Sequence, residues 1–307
     1  MGPIGNAVTL GNVTPVLAHV GTGTLEPLQL VPPLAIAVAY AVRARALALQ
    51  GRPVEVWRQA AFAAGVALIL AALVSPLAHL GGELLVAHMA QHLVLGDLAA
   101  LLLVLGLTGP LLQPLLAIRS LGWLRALAHP LVALPLWALS LCLWHVPAIY
   151  QAALTSEPLH ALEHAGFLGA GVLMWMALLG PLPKPAWFGN AARLLYIVAV
   201  RFGGAILGNV LAWSGTVLYP DYAPGERTWD IGPLADQGAA GMVMMIEGGL
   251  VTLGLFVWIF FRWARETEER QRLLDLAEAR GVALDEARAG RAVAAGQGAR
   301  LEERLRS

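Results

Sequence analysis

The sequence predicts an all-α membrane protein, a polytopic bundle of seven transmembrane helices with its amino terminus outside and its carboxyl terminus in the cytoplasm. Hydrophobic residues make up 58% of the chain and charged residues 13%, and the apolar residues occur in runs of about 18 or more. Only α-helices and closed barrels satisfy their backbones in lipid, and these runs lack the two-residue alternation of barrel strands. A helical bundle therefore follows.

Seven segments are long enough to cross a bilayer. They cover residues 28–49, 57–78, 84–107, 129–151, 158–180, 191–213 and 237–263. We therefore divide the chain into an extracytoplasmic tail (1–27), a transmembrane domain (28–264) and a charged cytoplasmic tail (265–307). Within the transmembrane domain, the segment 214–236 is rich in Pro, Gly and aromatic residues and is predicted to be an ordered outer loop. The cytoplasmic tail is expected to be solvated, as a short charged helix or partly disordered, or to form a docking helix.

The distribution of basic residues predicts the orientation. Lys and Arg fill the segments after spans one, three and five and the chain beyond span seven, whereas the opposite segments contain only Arg227. Because cytoplasmic loops carry the excess of Lys and Arg, the amino terminus is expected outside.

With this orientation, six of the eight histidines fall within about 12 Å of the outer surface, at about 1.5 Å of helix rise per residue. His88 and His92 are four residues apart, as are His160 and His164, so each pair leaves one helix face. Facing helices of a bundle can direct several imidazoles at one ion, and imidazole with thioether or thiol ligands suits copper. We predict a metal site formed by His88, Met89, His92, His145, His160 and His164, supported by His79, Glu163, Cys142 and Met245.

The alternative for each residue is structural. A single histidine in a membrane helix commonly forms a hydrogen bond between helices, and methionine or cysteine commonly fills apolar space. A second set, Asp97, Arg201 and Glu247, is predicted near the midplane, where opposite charges should pair. It forms either a structural ion-pair network or a proton or ion relay.

Several motifs, in this order, resemble the CtaG family of cytochrome c oxidase assembly factors, the polytopic type associated with caa-type oxidases. They are HMAQHLVLGD, LWHVPAIYQAAL, LHALEHAGFLGAGVLMW, LYPDY and PLADQGAAG. The resemblance implies a multi-pass protein of the bacterial plasma membrane, not an enzyme, that acts with oxidase subunits in copper delivery or insertion. The positions that match the family's motifs are His88, Met89, His92, Trp144, His145, Pro147, Tyr150, His160, Glu163, His164, Tyr219, Pro220, Asp236 and Gln237.

Other functions remain open at this stage. Paired histidines on facing helices could be axial ligands of haem. The segment HALEH, residues 160–164, matches the H-x-x-E-H pattern of inverted zinc proteases, and the deeper charges could belong to a transporter. Membrane lipid is the expected surrounding, and no nucleic-acid partner is expected.

Overall fold

The computed structural model describes residues 27–306, and every regular element in that range is a helix. The all-helical fold is thereby confirmed. The predicted tail 1–27 lies outside the described residues except for Pro27, where the first helix begins.

The helices are numbered here in chain order. They are α1 (Pro27–Leu49), α2 (Val56–Val74), α3 (Pro76–Gly81), α4 (Leu85–Leu93), a π-helix (Val94–Ala99), α5 (Ala100–Gly106), α6 (Gly109–Ala117), α7 (Trp123–Leu127), α8 (Pro130–Trp144), α9 (Pro147–Thr155), α10 (Glu157–Leu178), α11 (Asn190–Trp213), α12 (Ala223–Thr228), α13 (Pro233–Ala279), α14 (Glu286–Ala294) and α15 (Gly298–Arg306), with short 3₁₀ turns at Arg119–Leu121 and Pro220–Tyr222.

Six of the described helices are long and apolar enough to cross a membrane, counting α4, the π-helix and α5 as one. Their surfaces agree with that assignment, since large apolar side chains such as Leu131, Leu195 and Leu250 are about two-thirds exposed or more, at 67%, 70% and 67%. Lipid tails can solvate such side chains, whereas water would not. The described chain is therefore that of a membrane protein.

The fourth predicted span, 129–151, is broken in the structure. It forms α8 and α9, which are bent by 71° at His145 and Val146, and the count reaches seven spans only when this pair is taken as one. Pro147 has no backbone N–H, and it disfavours helical geometry at the residue before it. Val146 is extended accordingly, with φ −64° and ψ 121°.

A close approach of two helices brings the third and fifth spans together. Gly96, in the π-helix, faces Gly171 of α10, and a Cβ atom at Gly171 would collide with the Gly96 carbonyl oxygen. Glycine at this position therefore lets the two backbones touch, as small residues commonly do in membrane bundles. The π-helix starts two residues after His92, and such bulges frequently occur at functional sites.

The described chain separates into two compact units. One contains the chain as far as Ala186 together with Ala199–Gly248, and the other contains Trp187–Val198 and the chain from Gly249 onwards. In the second unit, α13 continues past residue 264 without interruption to Ala279. The charged tail is thus helical, and it has a small apolar core of Leu273, Ala277, Val293 and Leu305. Gly281 and Gly296 lie just beyond the carboxyl ends of α13 and α14, and their positive φ angles of 65° and 67° favour glycine.

Candidate metal centre

Helix α4 directs two histidines into the protein interior. His88 and His92 are only 1% and 4% exposed, and their Nε2 atoms are 2.8 Å apart. The spacing of four residues places the rings on one helix face. This confirms the geometric expectation for the HMAQH segment.

Helix α10 brings the second group to the same place. His160, Glu163 and His164 lie on its first turns, and the Glu163 oxygens are 3.7 Å from His88 Nε2 and 3.8 Å from His92 Nε2. One ligand atom each from His88, His92 and His164 can be chosen so that all lie within 4.8 Å of one another, and the same holds for His88, His160 and Glu163. We call these five residues the histidine–glutamate cluster.

Carbonyl and amide groups fix the orientation of the rings. His88 Nδ1 lies 3.1 Å from the Gly81 carbonyl oxygen, and His164 Nδ1 lies 2.8 Å from Gln29 Oε1. Because a carbonyl oxygen only accepts hydrogen bonds, we assign the ring hydrogen of His88 and of His164 to Nδ1. The lone pair of each ring is then on Nε2, which points into the cluster. Metal-binding histidines typically have this arrangement.

The cluster contains several buried polar atoms without a hydrogen-bond partner. They are His92 Nδ1, His160 Nε2, His164 Nε2 and both carboxylate oxygens of Glu163. Glu163 is completely buried. A buried carboxylate is costly unless a cation or hydrogen-bond donors compensate it. The donor set therefore fits a bound metal ion.

His145 and Met89 lie beside this cluster. His145 is at the carboxyl end of α8, and its Nδ1 donates to the Leu141 carbonyl oxygen at 2.8 Å. Its Nε2 is 3.3 Å from Met89 Sδ, and both side chains are buried. All six predicted ligands are thus brought into one region of the first unit.

The segment 214–236 covers the site and is bonded to it. Tyr222 Oη lies 2.9 Å from His88 Nδ1 and 2.8 Å from Tyr150 Oη, while the Tyr219 hydroxyl donates to the His145 carbonyl oxygen at 2.8 Å. Burial raises the pKa of Tyr222 well above its ordinary value, so its hydroxyl keeps the proton. The segment is therefore ordered against the histidines, as the sequence predicted for this loop.

Asp236 and Gln237 attach this segment to the helices. The Asp236 carboxylate accepts hydrogen bonds from the backbone N–H groups of Leu85 and Val86, at 2.7 and 3.0 Å. It thereby caps the amino end of α4, the helix that carries His88 and His92. Gln237 accepts from the Leu218 N–H at 2.7 Å. The other positions implied by the resemblance are structural here: Trp144 packs on Gly166 of α10, and Pro147 and Pro220 begin helices.

The structure places three of the predicted supporting residues outside the cluster. His79 is exposed and lies 3.3 Å from Glu83 on the surface, because it ends a separate short helix, α3. Cys142 is exposed on α8. Met245 packs near Gly208 of α11. Only Glu163 of the supporting set joins the histidines.

The deeper charges are arranged differently from the predicted ion-pair network. Asp97, Arg201 and Glu247 lie close enough to act on one another electrostatically. Neither Glu247 oxygen accepts a hydrogen bond from an N–H donor in the described chain. Arg201 therefore forms no direct hydrogen-bonded ion pair with Glu247 in the described chain.

Sequence reasoning missed Gln29, Phe167 and Tyr222. Gln29 orients His164, and the Phe167 ring packs 4.2 Å from the His92 ring, measured between centroids. Gln29 gave a signal, since it is a polar residue at the start of an apolar span. Tyr222 belongs to the LYPDY motif but was not singled out. Phe167 gave no signal, because an aromatic residue in a membrane helix is ordinary.

The fold and the site define a polytopic α-helical membrane protein with a buried cluster of side chains of the types that can bind a metal ion. The chain belongs to the family of cytochrome c oxidase caa3 assembly factors (Caa3_CtaG), which its sequence matches over residues 38–266. Two uncharacterized proteins, from Mycobacterium bovis and Mycobacterium tuberculosis, are each 26% identical to it over 250 residues, covering 75% of this chain and 38% of the relative. The chain thus spans less than two-fifths of the length of these curated relatives. No solved structure matches it.

Proposed function

We propose that this assembly factor binds copper at the histidine–glutamate cluster and the adjacent Met89 and His145, and helps deliver it to a haem-copper oxidase. In this proposal copper is the cargo. The observation that carries the proposal is the group of buried, unpartnered ligand atoms, above all the two Glu163 oxygens. A bound cation would compensate the carboxylate and use the imidazole lone pairs in a single step.

The chemistry of the donors supports copper. Imidazole is a good ligand for copper in either common oxidation state, and a thioether favours Cu(I). Both ligand types are buried within the region formed by α4, α8 and α10. The chain also belongs to a family of cytochrome c oxidase assembly factors, and this oxidase is a protein that needs copper.

The proposed orientation puts the site on the extracytoplasmic side of a bacterial plasma membrane, with seven spans when α8 and α9 are counted together. Support comes from the basic residues, which avoid the segment that covers the histidines except for Arg227. Oxidase subunits would then meet the protein on the side where the cluster lies. Those subunits are its proposed partners.

The test is to replace His88 and His92 together by alanine in cells that assemble the oxidase. We expect the purified variant to bind less copper than the unmodified protein and the oxidase from the same cells to have a lower copper content and activity. His129→Ala, a change outside the cluster, serves as the control. Unchanged copper in both the variant and the oxidase would contradict the proposal.

Haem is the second candidate for the paired histidines. His88 and His92 lie on one helix face with their Nε2 atoms 2.8 Å apart, so this pair does not supply both axial ligands, which lie on opposite sides of a haem iron. A Soret band in protein purified from haem-replete cells would instead support haem. We expect colourless protein in that experiment.

A further inference from the structure

We propose that Met89 and His145 form a separate Cu(I) site, distinct from the histidine–glutamate cluster, which takes a divalent ion. This inference rests on the proposed function and divides its site into two parts with different ligand chemistry. The protein would then hold copper in two adjacent environments, one with nitrogen and sulfur ligands and one with nitrogen and oxygen ligands.

The first argument concerns the hydrogen on His145. Its Nδ1 is 2.8 Å from the Leu141 carbonyl oxygen, which only accepts, so the ring hydrogen is on Nδ1. His145 Nε2 then has a lone pair, and it faces Met89 Sδ at 3.3 Å. A thioether has no hydrogen to donate. Two electron-pair donors therefore face each other in the interior with no proton between them, as expected for two ligands of one soft cation.

The second argument is the direction of the side chains on α4. Consecutive residues of an α-helix, with 3.6 residues per turn, are separated by about 100° around the axis. His88 and His92 share one face, so the neighbouring Met89 points to another. The sulfur is thus directed towards α8, whereas the two imidazoles are directed towards Glu163.

Two aromatic rings lie near side chains of both sites. The Phe167 ring centroid is 4.2 Å from that of His92 and 5.7 Å from that of His145. The Tyr150 ring is also near both sites, with its centroid 5.2 Å from that of His88 and 6.4 Å from that of His145. His145 is not a member of either group of clustered ligand atoms in the described chain.

The break in the fourth span holds His145 in place. His145 directly follows the last residue of α8, at the 71° bend, and Tyr219 donates to its carbonyl oxygen. The ring is therefore fixed from both sides, through Nδ1 and through the backbone. A fixed imidazole and a flexible thioether suit a site that must accept a soft ion and release it.

Ligand preference separates the two sites. Thioether sulfur selects Cu(I), whereas a carboxylate with imidazoles suits divalent ions such as Zn²⁺ and Cu²⁺. Zn²⁺ is thus a redox-inert probe for the cluster, and Cu(I) supplied anaerobically is the probe for Met89 and His145.

The experiment compares the full-length purified protein with Met89→Leu and Glu163→Gln variants. We expect Met89→Leu to lose the Cu–S signal in X-ray absorption and to bind Cu(I) more weakly, by at least the roughly tenfold that follows loss of a residue supporting a metal site. Its Zn²⁺ affinity should stay unchanged. Glu163→Gln should show the reverse, with weaker Zn²⁺ binding and an unchanged Cu–S signal.

The matched control is Met174→Leu, which replaces an equally buried methionine of α10. It should change neither the Cu(I) affinity nor the Zn²⁺ affinity. His145→Gln is a second variant that keeps the test informative if Met89→Leu does not fold. The inference is overturned if Met89→Leu retains the Cu–S signal. It is also overturned if each variant weakens the binding of Cu(I) and of Zn²⁺ equally. Absence of any copper binding by the unmodified protein would instead refute the proposed function itself.

Discussion

Glu163 is the residue whose surroundings most strongly favour the proposed metal site. It is completely buried, and its oxygens lie 3.7 and 3.8 Å from the Nε2 atoms of His88 and His92. We predict that Glu163→Gln stabilises the metal-free protein or leaves its stability unchanged, because a neutral amide removes a buried charge and can donate to unpartnered imidazole nitrogens. The same variant should lose the stabilisation by metal, about 2.7 kcal/mol at a metal concentration of about one hundred times Kd.

Thermal unfolding in detergent, with and without Zn²⁺, measures both effects. Glu157→Gln is the matched control, since it makes the same change at an exposed position of the same helix. It should unfold like the unmodified protein under both conditions. A Glu163→Gln variant that still gained full stability from Zn²⁺ would show that the carboxylate is not a ligand.

The sequence was informative for these residues only where spacing determines direction. The separations of four residues in HMAQH and HALEH predicted that His88 and His92, and His160 and His164, share helix faces. They could not predict that Cys142 turns outwards from α8, because helix rotation depends on packing with other helices. They also could not predict the contact between Met89 and His145, which are far apart in the chain.

Among the elements, the contact between the π-helix and α10 sets the distance between the two halves of the cluster. A methyl group at Gly171 would collide with the Gly96 carbonyl oxygen. We predict that Gly171→Ala separates these helices and destabilises the protein by about 1–3 kcal/mol, the usual cost of overpacking. Metal affinity should fall as well, because Glu163 and His164 lie on the helix that is displaced.

Gly169 provides the control on the same helix. A Cβ atom there would meet nothing within 4 Å, so Gly169→Ala should keep both the melting temperature and the metal affinity. Alanine is also the better helix former. Equal effects of the two substitutions would mean that the loss of any glycine, and not the loss of the helix contact, lowers the melting temperature and the metal affinity.

The elements themselves differed from the sequence prediction in two places. Pro147 in LWHVPAIY was a visible signal for a helix break, but hydropathy alone merges residues 129–151 into one span. The charged tail was expected to be mostly solvated, because apolar positions are sparse there. Those few positions nevertheless come together as the core of Leu273, Ala277, Val293 and Leu305, a long-range packing that periodicity within one segment does not reveal.

At the scale of the whole molecule, the orientation decides whether copper reaches the site from the extracytoplasmic side. Cys142 is the protein's one cysteine, so Cys142→Ser gives a background in which single cysteines can be introduced. Asp221 and Arg119 are both exposed, the first in the segment that covers the histidines and the second between the third and fourth spans. We predict that a membrane-impermeant maleimide labels Asp221→Cys in intact spheroplasts.

Arg119→Cys should react with the same reagent only after the cells are lysed, because the positive-inside rule puts this arginine in the cytoplasm. Denatured samples of both variants provide the control for reactivity, since each cysteine must label fully once the chain is unfolded. The reverse pattern would place the histidine–glutamate cluster on the cytoplasmic side. Copper would then have to be collected from the cytoplasm, and the protein could supply an oxidase on the other side only by moving the ion through the bundle, past Asp97 and Glu247.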